Sequence, residues 1–156
     1  MDLKQLYQDI ILEHGKSPRN LGKCEGYSHE AKGYNPLCGD KVHVYIKLNS
    51  EKKVEGLTFE GEGCAISLAS ASIMTELVKG KSFDEAMDIM NAFLNMIKNT
   101  SEIQSKHLDE DQKTKLMSLS GVKQFPMRVK CATLSWHTLN SAIKGKKEEV
   151  NTEAID

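Results

Sequence analysis

No apolar run in the sequence approaches the length that crosses a bilayer, and the start, Met1-Asp2-Leu3-Lys4-Gln5, lacks the hydrophobic stretch of a secretion signal. Nor is there an excess of charge: 21 Lys and Arg stand against 22 Asp and Glu, a net charge of −1. That balance removes the bulk electrostatic argument for nucleic acid or a membrane surface as a partner. There is no internal repeat, no low-complexity segment and no CxxC pair of the kind that builds a zinc finger. The expectation is a cytoplasmic protein whose thiols stay reduced. Its four cysteines are then metal ligands or reactive thiols before they are disulfides. At 156 residues the chain is expected to form one domain over 1–145, with a charged, flexible tail over 146–156.

Helical spacing of Leu3, Leu6, Tyr7, Ile10, Ile11 and His14 predicts a first helix that Gly15 and Pro18 end, with His14 at its polar rim. A weak strand is expected from Gly22 to Tyr34. Val42, Val44, Ile46 and Leu48 alternate with Lys41, His43, Tyr45 and Lys47, which predicts a half-buried strand with the second set facing water. Asn49-Ser50-Glu51-Lys52 reads as a hairpin turn into another strand, Val54 to Gly61, with Leu57 and Phe59 inward. Gly61-Glu62-Gly63-Cys64 then opens a helix rich in Ala and Ser that ends near Gly80. Ser82 and Glu85 form a capping box for the next helix, whose buried positions are Ala86, Ile89, Met90, Phe93 and Ile97. Residues 98–120 read as a polar surface insertion with a short helix. Phe125-Pro126 starts the last helix, with Val129, Ala132, Thr133, Trp136, Leu139 and Ile143 inward; Arg128, Lys130, Cys131 and Ser135 fall off that stripe. The sum is an α+β fold with a three-stranded antiparallel meander.

Cys38 and Asp40 lie two residues apart on a turn that Pro36 and Gly39 shape. Cys64 sits at a helix start, where free N–H groups and the helix dipole favour a thiolate. Cys131 has Arg128 and Lys130 beside it. Three thiolates and a carboxylate make a complete tetrahedral donor set for Zn²⁺, and the neighbouring cations offset its negative excess. The wide spacing leaves an alternative open: unrelated reduced thiols, with Asp40 as a turn residue. Cys24 has no second donor near it in sequence and reads as an unligated thiol.

Asn35-Pro36-Leu37-Cys38-Gly39-Asp40, Gly61-Glu62-Gly63-Cys64-Ala65-Ile66-Ser67 and Arg128-Val129-Lys130-Cys131-Ala132-Thr133-Leu134 together resemble the three cysteine motifs of the IscU-like family of iron–sulfur assembly proteins. The likeness runs from the first helix to about Lys144. Two motif departures stand out: Lys130 replaces the histidine that the housekeeping scaffolds carry before the third cysteine, and Phe125-Pro126-Met127-Arg128 replaces their Leu-Pro-Pro-Val-Lys motif. With the polar insertion, these features resemble the SufU branch.

That resemblance implies a zinc-dependent sulfurtransferase. It would take persulfide sulfur from a SufS-type cysteine desulfurase and pass it to a downstream iron–sulfur assembly scaffold. It implies Cys38 as sulfur acceptor and zinc ligand, Asp40, Cys64 and Cys131 as the other ligands, and Arg128 as the cation that steadies a freed thiolate or persulfide. It also implies that the desulfurase displaces Cys38 from zinc. The implied fold is α+β, a three-stranded antiparallel sheet with helices packed mainly on one face. Two other readings compete: a scaffold that builds a labile iron–sulfur cluster on the same cysteines, and a purely structural zinc domain.

Overall fold

The computed structural model describes residues 2–99 and 102–154. Alternation along the middle strand of the sheet decides which side becomes the core. β2 (Asp40–Leu48) buries Asp40, Val42, Val44 and Ile46 on one face and leaves Lys41 exposed on the other. β1 (His29–Asn35) and β3 (Val54–Glu62) pair with it antiparallel. Their register sets Ala31 and Phe59 beside Val44, and Asn35 beside Asp40. Residues directly opposite share a face, so the apolar side chains collect on one side. Lys32, Glu60 and Glu62 stay exposed on the other.

Among the described residues, five α-helices follow from ordinary start signals: α1 (Leu3–Lys16), α2 (Ala65–Val78), α3 (Phe83–Lys98), α4 (Glu110–Ser118) and α5 (Pro126–Ile143). Asp2 caps α1, and Ser82 with Glu85 forms the expected capping box of α3. Asp109 and Gln112 form a second box at α4. Proline at the first position suits α5, because that N–H has no helical partner anyway. α2 and α5 pack on the inner face of the sheet and on each other. The small residues of α2 allow that closeness. Ser70 Oγ donates to the Ala132 carbonyl at 2.5 Å and accepts from Trp136 Nε1 at 3.0 Å, so one hydroxyl joins α2 to α5. Trp136 in turn stacks on Phe93 of α3 at 4.5 Å. A Cβ on Gly33 would lie 2.1 Å from Thr138 Oγ1, so α5 rests on the backbone of β1 at that point.

The sheet departs from a three-stranded meander. It has four strands of mixed orientation, ordered β3-β2-β1-β4. β4 (Val150–Asn151) runs parallel to β1, pairing with Gly33 and Tyr34. The open edge of β1 supplies unpaired backbone groups, and β4 takes them. Residues 150–154, expected in a flexible tail, are thereby docked, with Thr152 only 2% exposed. β1 itself starts at His29, since the segment 22–28 is turn and bend with Gly22 and Gly26 at φ 125° and 73°.

Other departures share a cause: packing from elements distant in sequence. α5 is covered by the sheet, α2 and α3, so Cys131 and Ser135 are buried along with all of the predicted stripe but Val129, which is half-buried. The insertion 98–120 contributes Ile103, Leu108, Leu116 and Leu119 to the core. Tyr45 is buried on the outer face under the rings of Tyr27 and His43, with its hydroxyl donating to Glu60. His14 is 1% exposed rather than at a rim, with Nδ1 2.8 Å from Ser72 Oγ. α1 continues through Gly15, where a Cβ would press on Ala65 at 3.2 Å.

Candidate metal and thiol site

At one end of the sheet the β1–β2 turn, the start of α2 and the second turn of α5 converge. Asp40, the first residue of β2, points to the helix-covered face and is fully buried. Cys38 lies on the turn before it and is exposed. Gly39 takes φ 72° between them, a left-handed conformation that glycine adopts without strain.

Cys64 caps α2: its Sγ accepts from the Ser67 N–H at 3.4 Å, and its own N–H donates to Asp40 Oδ1 at 2.8 Å. Gly63, at φ 140°, is required here, because a Cβ would sit 2.2 Å from Asp40 Oδ1. Cys131 enters from α5, which the Ser70 bridge holds in place one residue further on.

Donor atoms of Cys38, Asp40 and Cys131 all lie within 4.8 Å of one another. Cys131 Sγ is 3.2 Å from Cys38 Sγ, and Cys64 Sγ is 3.8 Å from Asp40 Oδ2. Three of the four sequence-predicted ligands therefore gather in one group, and Cys64 lies outside it, next to Asp40. Cys131 Sγ lies among Cys38, Cys64 and Asp40 and donates to Cys38 Sγ. Its thiol is pushed far up, first by the hydrogen bond to Cys64 and then by burial. Cys64 is pulled down to about 7, chiefly by that same bond, with the Ser67 N–H helping. Cys64 is thus the more acidic thiol of the pair and Cys131 the less acidic. Three sulfurs and a carboxylate make a donor set that a bound cation would neutralise. The sulfur-rich set suits zinc or an iron–sulfur cluster over magnesium or calcium.

Asn35 is the site residue that the reading of the cysteines passed over. It is fully buried opposite Asp40. Its Nδ2 donates to Asp40 Oδ2 at 3.3 Å and to Cys131 Sγ at 3.5 Å. Its place in the Asn-Pro-x-Cys-x-Asp stretch, at the end of β1, was the available signal.

Arg128 stands exposed one helical turn before Cys131, where residues three apart share a face. Its guanidinium lies 4.6 Å over the Phe125 ring, near the Tyr7 hydroxyl of α1. The Tyr7 hydroxyl is raised by burial, with Arg128 opposing that rise. Lys130 pairs with Glu153 at 3.1 Å. Leu37, Phe125 and Met127 are about half exposed, at 49%, 46% and 51%, next to the motif residues in sequence. Cys24 lies apart, half-buried against Gly56.

An α+β domain with a thiol–carboxylate centre at one end of its sheet is the architecture of a known class. The chain belongs to the NifU-like N terminal domain family, whose model matches residues 6–132. It is 40% identical over 148 residues to the zinc-dependent sulfurtransferase SufU of Bacillus subtilis, with 95% of each chain covered. It is 38% identical over 142 residues to the iron–sulfur cluster assembly scaffold protein IscU of Streptococcus pyogenes serotype M1, covering 91% of this chain and 85% of that one. The crystal structure of FiSufU from Fervidobacterium islandicum AW-1 superposes with a TM-score of 0.76 at 35% identity, covering 89% of this chain and 97% of that one. No helix among the described residues is long and apolar enough to cross a membrane.

Proposed function

We propose that this protein is a zinc-dependent sulfur acceptor: Cys38 takes persulfide sulfur from a SufS-type cysteine desulfurase and relays it to a downstream scaffold for iron–sulfur cluster assembly. One observation carries the reading. Of the three donors within 4.8 Å of one another, Cys38 alone is exposed, and it rides on a turn, while Asp40 and Cys131 are buried. A group that must meet a partner's cysteine has to be reachable, and the groups that hold it need not be. The likeness to SufU of Bacillus subtilis supports the same assignment.

Cys38, Asp40, Cys64 and Cys131 would hold the zinc, which when bound keeps thiols deprotonated at neutral pH. The transfer itself is thiol–disulfide chemistry. The Cys38 thiolate attacks the outer sulfur of the desulfurase persulfide. A new S–S bond forms on Cys38, the old one breaks, and the desulfurase cysteine leaves as a thiolate, so no external oxidant or reductant is needed. Arg128, exposed one helical turn before Cys131, would supply positive charge to a persulfide on Cys38. Asp40, Cys64 and Cys131 stay anchored by the strand and the two helices. Exposed Leu37, Phe125 and Met127 offer apolar area to the docking enzyme.

The test is the turnover of a SufS-type desulfurase with this zinc-loaded protein, cysteine and reductant, without iron. Stimulation that vanishes in Cys38→Ala is the expected result. No stimulation of the cognate enzyme, or full stimulation by Cys38→Ala, overturns the reading. The scaffold alternative is disfavoured by Lys130: the scaffold ligand set uses a histidine there, and this lysine is engaged with Glu153.

A further inference from the structure

We propose that Thr152 is a positioning residue of the metal site: through Asn35 it aims an amide N–H at two zinc-ligand atoms, so the docked segment 150–154 is part of the site. This rests on the zinc reading above.

The hydrogen bonds fix the sense of the Asn35 amide. Its Oδ1 receives the Leu37 backbone N–H at 3.3 Å and the Thr152 hydroxyl at 3.0 Å. A backbone N–H is an obligate donor, so the atom it meets must be the oxygen. Nδ2 is then turned toward Asp40 Oδ2 and Cys131 Sγ. Thr152 and Asn35 are 2% and 0% exposed, so no solvent competes for these bonds. Thr152 is delivered by β4 pairing on the edge of β1, and the Lys130–Glu153 pair at 3.1 Å ties the same segment to α5 beside Cys131.

The consequence is chemical. An N–H donated to a ligand carboxylate and a ligand sulfur holds both in place and withdraws electron density from the sulfur. Groups that orient metal ligands in this way typically change metal affinity or activity by about 10- to 100-fold when removed. Thr152 touches no ligand atom, so its effect has to travel through Asn35.

The experiment measures zinc affinity by competition with a chromophoric chelator, and the Asn35 side-chain amide resonances by NMR. The proteins are wild type, Thr152→Val, Thr152→Ser, Asn35→Ala and the Asn35→Ala/Thr152→Val double variant. Valine keeps the shape of threonine and removes the hydroxyl; serine restores it. Thr152→Val is expected to shift the Asn35 amide pair and weaken zinc binding about tenfold, while Thr152→Ser stays near wild type. In the Asn35→Ala background, Thr152→Val is expected to add nothing, which a general loss of packing would not produce. Wild-type zinc affinity in Thr152→Val, or a full additional loss in the double variant, overturns the proposal alone. A wild-type chain that takes up no zinc overturns the sulfur-acceptor reading and this proposal with it.

Discussion

Cys38 and Cys131 bring their sulfur atoms to 3.2 Å across 93 residues of chain, one thiol open to solvent and the other 2% exposed. The contact divides labour between a reachable sulfur and a fixed one. In zinc-free protein, alkylation with iodoacetamide is expected to label Cys38 first and Cys131 last, with Cys64 between them. Peptide mass spectrometry over a time course reads the order. Equal rates at Cys38 and Cys131 would contradict the burial on which the acceptor assignment rests.

Gly39 and Gly63 both sit at positive φ, 72° and 140°, yet their replacement should differ in kind. Each Gly→Ala change forces an L side chain into a strained backbone, at a cost of about 1–2 kcal/mol. A Cβ at Gly39 meets nothing within 4 Å, whereas at Gly63 it lies 2.2 Å from Asp40 Oδ1. Gly63→Ala therefore has to move Asp40 and should weaken zinc binding, while Gly39→Ala should leave affinity nearer to wild type. Urea unfolding and chelator competition on the two variants separate the effects.

Ser70 serves as acceptor for Trp136 and donor to Ala132 at once. Ser70→Ala leaves a buried indole N–H unpaired and removes the second hydrogen bond to the Ala132 carbonyl, which keeps its helical one. The expected loss is about 1–3 kcal/mol in urea unfolding. Because the bond to Ala132 adjoins Cys131, zinc affinity should fall as well. A stability loss below about 0.5 kcal/mol would mean that the indole N–H finds another partner.

His14 predicts an acid-sensitive stability. Burial lowers its pKa in the folded chain, aided by Arg19 and Lys115; Glu76 and Glu13 oppose the shift. The folded value lies below the unfolded one, so the neutral ring is favoured by folding. Its contribution is complete above the unfolded pKa, near 6.5, and is lost as pH falls through the folded value. His14→Gln is expected to flatten the fall in urea midpoint below about pH 6.5 relative to wild type. Parallel curves for the two proteins would remove His14 as a cause.

Much of the site was legible because strand alternation and motif order are local. Asp40 belongs to the even-numbered set with Val42, Val44 and Ile46, so its inward direction follows once β2 is recognised. Cys64 before an Ala/Ser-rich helix was likewise readable as a cap. What escaped depended on distant neighbours. Cys131 and Ser135 fell off a one-sided stripe because nothing in their sequence tells that α5 is covered on several sides. Tyr45 looked solvent-facing until Tyr27 and His43 closed over it. Val150–Asn151 is too short to show any period, and its pairing depends on the open edge of β1. Thr152 and Asn35, 117 residues apart, carry no local mark of each other.

The span of those contacts has a consequence for the order of events during folding. Local pieces of this chain form early and cheaply, whereas contacts across most of its length come late, after the loop-closure cost is met. A fragment ending before α5 would carry Cys38, Asp40 and Cys64 but not the thiol that packs against Cys38 at 3.2 Å. The donor cluster is thus an attribute of the finished tertiary structure. An incompletely folded chain presents separate cysteines, and the assembled centre serves as a built-in check that the last helix has docked.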